Sequence, residues 1–241
     1  MDYSLQLYSV RDSAGENFEE TLKKVSEMGY TGVEFAGFYG HSAEEIADML
    51  NKYNLKVTGI HQGLDPLMED FDGVVEYNKK IGNKHYIIPG HDLSSQDKID
   101  EFVKNVAIYK EKLAEHGITL GFHNHKREFD VNPDGSFVYD QLIYRTDIQL
   151  EVDVYWAFRG MHDPIALLER VKDRVTYIHL KDGLDDDSSR GKPLGMGVTP
   201  IKEVREWAIA NGKKLVVESE TLKPSGLEEV KICIDYLKTL K

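Results

Sequence analysis

Eight short apolar runs recur along this chain, and helix-like segments separate nearly all of them. The runs cover residues 4–8, 31–35, 56–60, 85–88, 119–122, 148–152, 175–180 and 214–217. Amphipathic segments are expected at 16–28, 43–53, 67–81, 97–116, 199–211 and 226–240, with a short, weak one at 136–145. In the first, Phe18, Leu22, Val25 and Met28 share one face, the spacing of a half-buried helix. Between the sixth and seventh runs, Asp163-Pro164 supplies an N-cap candidate and a proline at the first helical position. A strand, a crossover helix and a strand make the parallel βαβ unit. Four joints read helix, glycine, strand, and Gly29, Gly82, Gly117 and Gly212 sit where a helix end needs the left-handed conformation. Eight such units in 241 residues, with no linker, match a closed barrel, which typically takes about 250 residues. The expected fold is α/β: a single eight-stranded parallel (β/α)8 TIM barrel occupying residues 1–241 as one domain.

The net charge of −12 argues against a nucleic-acid backbone as the main partner. Acidity of this kind suits holding a cation. One cysteine, Cys233, rules out an internal disulfide framework and a cysteine metal cluster, and it lies in an apolar stretch that reads as core. No segment approaches the roughly 18 consecutive apolar residues of a membrane span. The N-terminus lacks a signal-peptide pattern, so the expected location is the cytoplasm. The charged stretch 183–191 reads as a mobile loop, and Asp185–Asp187 within it as solvated.

Polar residues follow the apolar runs at the ends where parallel barrels build their sites. Strand 1 carries Gln6 and strand 2 contains Glu34, while strand 3 ends in His61-Gln62 and strand 4 in Pro89-Gly90-His91-Asp92. Strand 5 ends in His123-Asn124-His125 with Glu128 just beyond, strand 6 in Asp153, strand 7 in His179-Leu180-Lys181-Asp182, and strand 8 in Glu218-Ser219-Glu220. Five of the nine histidines fall at these ends, whereas His41, His85, His116 and His162 read as surface, cap or packing residues. Asp153, His179 and Glu218 come from consecutive strands and form a mixed nitrogen and oxygen set. Such a set suits one divalent ion, Mn²⁺, Mg²⁺, Co²⁺ or Zn²⁺, and selects poorly among them. The plainer alternative makes His179 a hydrogen-bonded core histidine and Asp153 a cap.

The stretches LQLYSVRD, FHNHKREF, EVDVYW, IHLKD and VVESE resemble the sugar phosphate isomerase/epimerase group of xylose isomerase-like barrels, and the likeness runs the length of the chain. The resemblance implies metal ligands Glu, Asp, His, Glu at the ends of strands 5 to 8. Asp153, His179 and Glu218 match the last three. At the first position His123 stands where a glutamate is usual. Either His123 ligates the metal or Glu128 reaches in from the loop. Glu128 is favoured, because a further carboxylate better neutralises a hard cation. Isomerases and epimerases of the group use the strand 5 and strand 8 carboxylates as an acid/base pair. Trp156, three residues after Asp153, stands where epimerases often carry a substrate-binding histidine, and it offers a stacking face for a sugar ring.

The expected chemistry is proton abstraction beside the carbonyl of a keto-sugar or related polyol, with the metal polarising the ketone and stabilising the enediolate. Glu218 takes or returns the proton, and Glu128 or His123 completes the transfer from the opposite face. His61, His125, Trp156 and Lys181 are candidate substrate contacts. No glycine-rich loop or arginine cluster argues for phosphate. Two alternatives stand beside the isomerase or epimerase reading: a lyase or dehydratase using the same enolate, as for inososes or 3-keto-glycosides, and a non-catalytic sugar-binding barrel. A homo-oligomer stays open.

Overall fold

Each strand of the chain hands over to a helix that returns it to the same edge. The computed structural model describes residues 2–160, 162–186 and 191–240. Its eight principal strands are β1 (Tyr3–Gln6), β2 (Gly32–Phe35), β3 (Lys56–His61), β4 (His85–Ile88), β5 (Thr119–His123), β6 (Gln149–Asp153), β7 (Tyr177–Leu180) and β8 (Lys214–Val217). They form a closed barrel in sequence order, every pairing is parallel, and β8 returns to β1 through Leu5 opposite Val217. The return helices are α1 (Phe18–Met28), α2 (Ala43–Tyr53), α3 (Phe71–Lys80), α4 (Gln96–Ala114), α5 (Val138–Arg145), α6 (Pro164–Val171), α7 (Ile201–Ala210) and α8 (Gly226–Thr239). The α/β barrel expected from the sequence is the fold observed.

Local chemistry sets the element ends. The Asn17, Ser42, Ser95, Asp163 and Ser225 side chains accept from backbone N–H groups of the first turns of α1, α2, α4, α6 and α8. The four glycine joints all adopt positive φ, from 64° at Gly212 to 101° at Gly29. Two of the expected boundaries are moved by side-chain hydrogen bonds. The first run stops at Gln6 because its side-chain oxygen accepts from the Tyr8 N–H (3.0 Å) and turns Leu7–Val10 into a 3₁₀ segment. The segment expected at 67–81 is broken at Asp70. Its carboxylate accepts from the Gly73 N–H (3.0 Å), so Asp65–Glu69 ends and α3 begins.

Beyond β7, Asp182–Gly183 pairs antiparallel with Gly191–Lys192. Residues 187–190 of the stretch expected to be a mobile loop, Asp187 included, lie outside the described residues. The Asp182 carboxylate gathers the backbone N–H groups of Gly183, Gly195, Gly197 and Thr199 at 2.9–3.0 Å. A Cβ on Gly197 would fall 2.2 Å from Asp182 Oδ1, so only glycine permits this approach.

The apolar core lies between barrel and helices. Val33, Leu120, Leu150, Val152, Ile178 and Leu215 of the strands bury against Leu22, Ile46, Phe102, Leu168, Val204 and Val230 of the helices. Each such side chain contributes about 1.5–3 kcal/mol on burial. Cys233 lies within this layer, as expected. The barrel lumen is different in kind, since its upper half is filled by ionisable side chains. Among the described residues, no helix is long and apolar enough to cross a membrane.

Candidate metal centre and active site

A strand sends alternate side chains to opposite faces. On β6 this turns Leu150 and Val152 to the helices, while Glu151 and Asp153 share the lumen face. The same alternation brings in His123 from β5, His179 from β7, His61 from β3, Glu34 from β2 and Gln6 from β1. Register then stacks them, with Asp153 beside His179, His123 beside Glu151, and Gln6 beside Glu34. Two layers result, and His179 and His123 touch both.

The upper layer holds His123, Asp153, His179 and Glu218. All four are buried, and one ligand atom from each lies within 4.8 Å of the others. His179 Nδ1 is 2.7 Å from Glu218 Oε2. Asp153 Oδ1 accepts from the Trp156 N–H (2.9 Å) and so caps the short helix Val154–Arg159. Asn124 fixes the backbone at that point. It donates to the Asp153 carbonyl (3.2 Å) and accepts from the Asp153 N–H (3.1 Å). Asp153 Oδ2 is buried without a hydrogen-bond partner. Burial pushes the Asp153 carboxyl up to about 7 in spite of nearby Lys181. Burial also opposes charge on Glu218, but Lys181 and His179 outweigh it and hold that carboxyl well below its usual range. Burial lowers His123 to about 4, so its imidazole is neutral and able to ligate at neutral pH. Two imidazoles and two carboxylates, one of which has a buried oxygen without a partner, fit a divalent cation.

The lower layer is a ring. His61 Nε2 lies 2.9 Å from Glu34 Oε1 and 2.7 Å from Glu151 Oε2, while His179 Nε2 lies 2.8 Å and 3.1 Å from the same two oxygens. Gln6 Nε2 donates to Glu34 Oε1 at 2.6 Å. Burial disfavours a charged His61, but Glu34 and Glu151 outweigh it and push the imidazole up to about 10. Gly59 leaves the space for this layer, because a Cβ there would sit 2.7 Å from Ile87 Cδ1 and 3.0 Å from Glu34 Oε2.

Lys181, just past β7, is fully buried above the upper layer. Its Nζ lies 2.5 Å from Glu220 Oε2, 3.7 Å from Glu218 Oε1 and 4.7 Å from the centre of the Trp156 ring. His125 stands next to Trp156, with ring centres 6.1 Å apart, and its Nδ1 is buried without a partner. Lys181, Trp156 and His125 therefore wall the upper layer, where the sequence placed substrate contacts. His61 is elsewhere, held in the lower ring.

Glu128, favoured from the sequence as the fourth ligand, is not brought to the other three. Its Oε2 accepts from the His125 N–H (2.7 Å) and its Oε1 from Arg127 Nε (2.8 Å), which closes the loop Lys126–Phe129 on itself. His123 occupies the place beside Asp153, His179 and Glu218 instead. His91 also points away, its ring packed 4.9 Å from Phe102. The sequence reading passed over Glu151 and gave Glu34 and Gln6 no role. The signal was present for Glu151, since it stands two residues before Asp153 on the same strand face.

The chain matches the family model described as xylose isomerase-like TIM barrel over residues 22–240. It is 23% identical to an inosose dehydratase of Bacillus velezensis over 211 residues, covering 76% of this chain and 68% of that protein. It is 22% identical to the rhizopine catabolism protein MocC of Rhizobium meliloti, covering 68% of this chain and 57% of that protein. A crystal structure of a sugar phosphate isomerase/epimerase from Parabacteroides distasonis superposes with a TM-score of 0.87 at 23% identity, covering 100% of this chain and 99% of the other. The probable 3-DHS dehydratase AsbF from Bacillus anthracis superposes with a TM-score of 0.79 at 14% identity, with 99% of each chain covered. At these identities the structural likeness is one of fold. With a family model matched along nearly all of its length, and a closed eight-stranded parallel barrel bearing its polar groups at the strand ends, the chain belongs to the xylose isomerase-like TIM barrels.

Proposed function

We propose that this protein is a metal-dependent lyase that dehydrates a small polyhydroxy ketone by removing a proton α to the carbonyl. The observation that carries the reading is the buried Lys181 ammonium beside Glu218, 3.7 Å from Oε1, on the wall of the upper layer. Elimination of water needs a base for the α-proton and an acid for the departing hydroxyl, and this pair supplies both. The inosose dehydratases among the relatives support the same reaction class.

His123, Asp153, His179 and Glu218 would hold the cation. Bound there, a divalent ion supplies positive charge beside the ketone oxygen and so acidifies the neighbouring C–H. Glu218 has two distinct oxygens for two tasks: Oε2 faces His179, and Oε1 faces Lys181. Oε1 accepts the α-proton. The β C–O bond then breaks as Lys181 gives a proton to the leaving hydroxyl, which departs as water. The proton on Glu218 passes to the neutral Lys181 amine and resets the pair, so no external acid is consumed. Trp156 offers a flat face to the substrate ring, and His125 offers a neutral imidazole, lowered to about 3 by burial and by neighbouring His123 and Lys181. Isomerisation or epimerisation is the second reading, since a proton returned from Glu218 to the substrate gives either result without loss of water.

The test is proton NMR in deuterium oxide against a panel of inososes, keto-sugars and 3-keto-glycosides. The expected result is water loss from one of them, with Glu218→Gln slower by about 10²–10⁴. Deuterium entering the substrate without water loss would move the assignment to an isomerase or epimerase. No exchange with any of them by metal-loaded protein would overturn both readings in favour of a binding protein.

A further inference from the structure

We propose that the lower ring positions the two imidazoles of the upper layer: Glu34 fixes His179 and Glu151 fixes His123, so that His179 presents Nδ1 and His123 presents Nε2 to the cation. The proposal rests on the reading that the upper layer holds one cation. In this arrangement His61 is a positioning residue as well, set between the two carboxylates.

An imidazole that gives one nitrogen to a metal donates an N–H from the other. His179 Nδ1 lies 2.7 Å from Glu218 Oε2 in the upper layer, and its Nε2 lies 2.8 Å from Glu34 Oε1 in the lower. Turning this ring over would set carbon atoms against both carboxylates, so its orientation is fixed from two sides. His123 is mounted the other way round, with Nδ1 3.2 Å from Glu151 Oε2, which leaves Nε2 for the upper layer. His61 Nε2 stands 2.7 Å from that same Glu151 oxygen. One hydrogen on each of these three nitrogens satisfies the ring: His179 donates to Glu34, while His123 and His61 donate to Glu151. Gln6 Nε2 donates to Glu34 Oε1 at 2.6 Å, so this carboxylate is itself held in place. Glu34, His123, Glu151 and His179 are all buried, and bonds shielded from water in this way are strong and directional. A carboxylate behind a ligating histidine orients the ring and raises its basicity, and its loss typically costs about 10–100-fold in metal affinity.

Chelator competition for Co²⁺ on metal-stripped protein tests the assignment. Glu34→Gln and Glu151→Gln should each bind cobalt about 10–100-fold more weakly than the wild type. In a His123→Ala background Glu151→Gln should lose most of that effect, because the imidazole it acts through is gone, whereas Glu34→Gln should keep it. A merely structural role would not sort the two glutamates in this way. Unchanged cobalt affinity in either single variant overturns the proposal, as does an undiminished Glu151→Gln effect in the His123→Ala background. Should the glutamate variants fail to fold, wild-type protein loaded with NMR-active cadmium and nitrogen-labelled at histidine decides. Cadmium–nitrogen coupling is expected at Nδ1 of one histidine and Nε2 of another, with only the Nε2 coupling lost in His123→Ala. Coupling at the same type of nitrogen in both histidines overturns the proposal. A wild-type chain that binds no cobalt overturns the metal centre itself and the positioning role with it.

Discussion

The Glu128 carboxylate closes onto the backbone N–H of His125, three residues upstream, at 2.7 Å. With Arg127 on its other oxygen, both carboxylate oxygens are engaged within the loop, and the residue is only 2% exposed. Its structural work is to hold the loop after β5, and His123 takes the position beside the other candidate ligands. His123→Ala should therefore weaken cation binding by about tenfold or more, whereas Glu128→Gln should leave metal content unchanged and cost about 0.5–1.5 kcal/mol of stability. Chelator competition and urea unfolding separate the two variants. Metal loss in Glu128→Gln with none in His123→Ala would reverse the assignment.

Lys181 offers a way to divide the reaction into its steps. If its ammonium protonates the leaving hydroxyl, Lys181→Met should slow water loss by about 10²–10⁴ while solvent deuterium still enters the α position. Both rates are readable in one NMR time course. An equal fall in both would mean that Lys181 acts before the C–O bond breaks, and an unchanged rate of water loss would discard it as the acid.

Asn124 makes two hydrogen bonds to the backbone of Asp153, and all the groups involved are buried. Asn124→Ala leaves an N–H and a carbonyl without partners at the end of β6. The expected cost is about 1–3 kcal/mol, measured by chemical denaturation, together with weaker metal binding as Asp153 loses its fixed position. A variant as stable as the parent would show that water replaces the amide there.

Cys233 should be inert in the native protein. Burial pushes its thiol up to about 12 from an ordinary value of 9.0. A pKa raised on folding contributes stability that is fully present below pH 9 and is lost as the pH climbs toward 12. Iodoacetamide at pH 8 should label the chain in urea and spare it when folded. Native labelling at the rate of a free thiol would contradict this burial.

The fold was legible because the barrel writes its period into the sequence: a run of four to six apolar residues, a helix face, then a glycine such as Gly29 or Gly117. Asp153, His179 and Glu218 were legible because a charged or polar residue at the end of a buried strand has few other reasons to be there. Glu128 is held away from the other three by the backbone N–H of His125, and sequence distance does not say which way a loop carboxylate turns. The lower layer was hidden for another reason. Glu34 and Glu151 lie within their strands, where a carboxylate makes sense only once His61 and His179 are known to stand opposite. Contacts across a lumen join residues such as Glu34 and His179, 145 positions apart, and no local pattern announces them.

Barrels of this kind are usually filled by branched aliphatic side chains, and here Gly59 and its neighbours make room for a filling of acids and imidazoles. An aliphatic plug is self-sufficient, whereas this one holds buried carboxylates that the proposed cation would help to neutralise. If the cation is held as proposed, free metal concentration becomes a folding variable, like temperature or denaturant. Each tenfold rise above the dissociation constant of a site should add about 1.4 kcal/mol to the stability of the whole barrel. Under the proposed cation site, the melting point then reports the metal concentration of the solution around the protein.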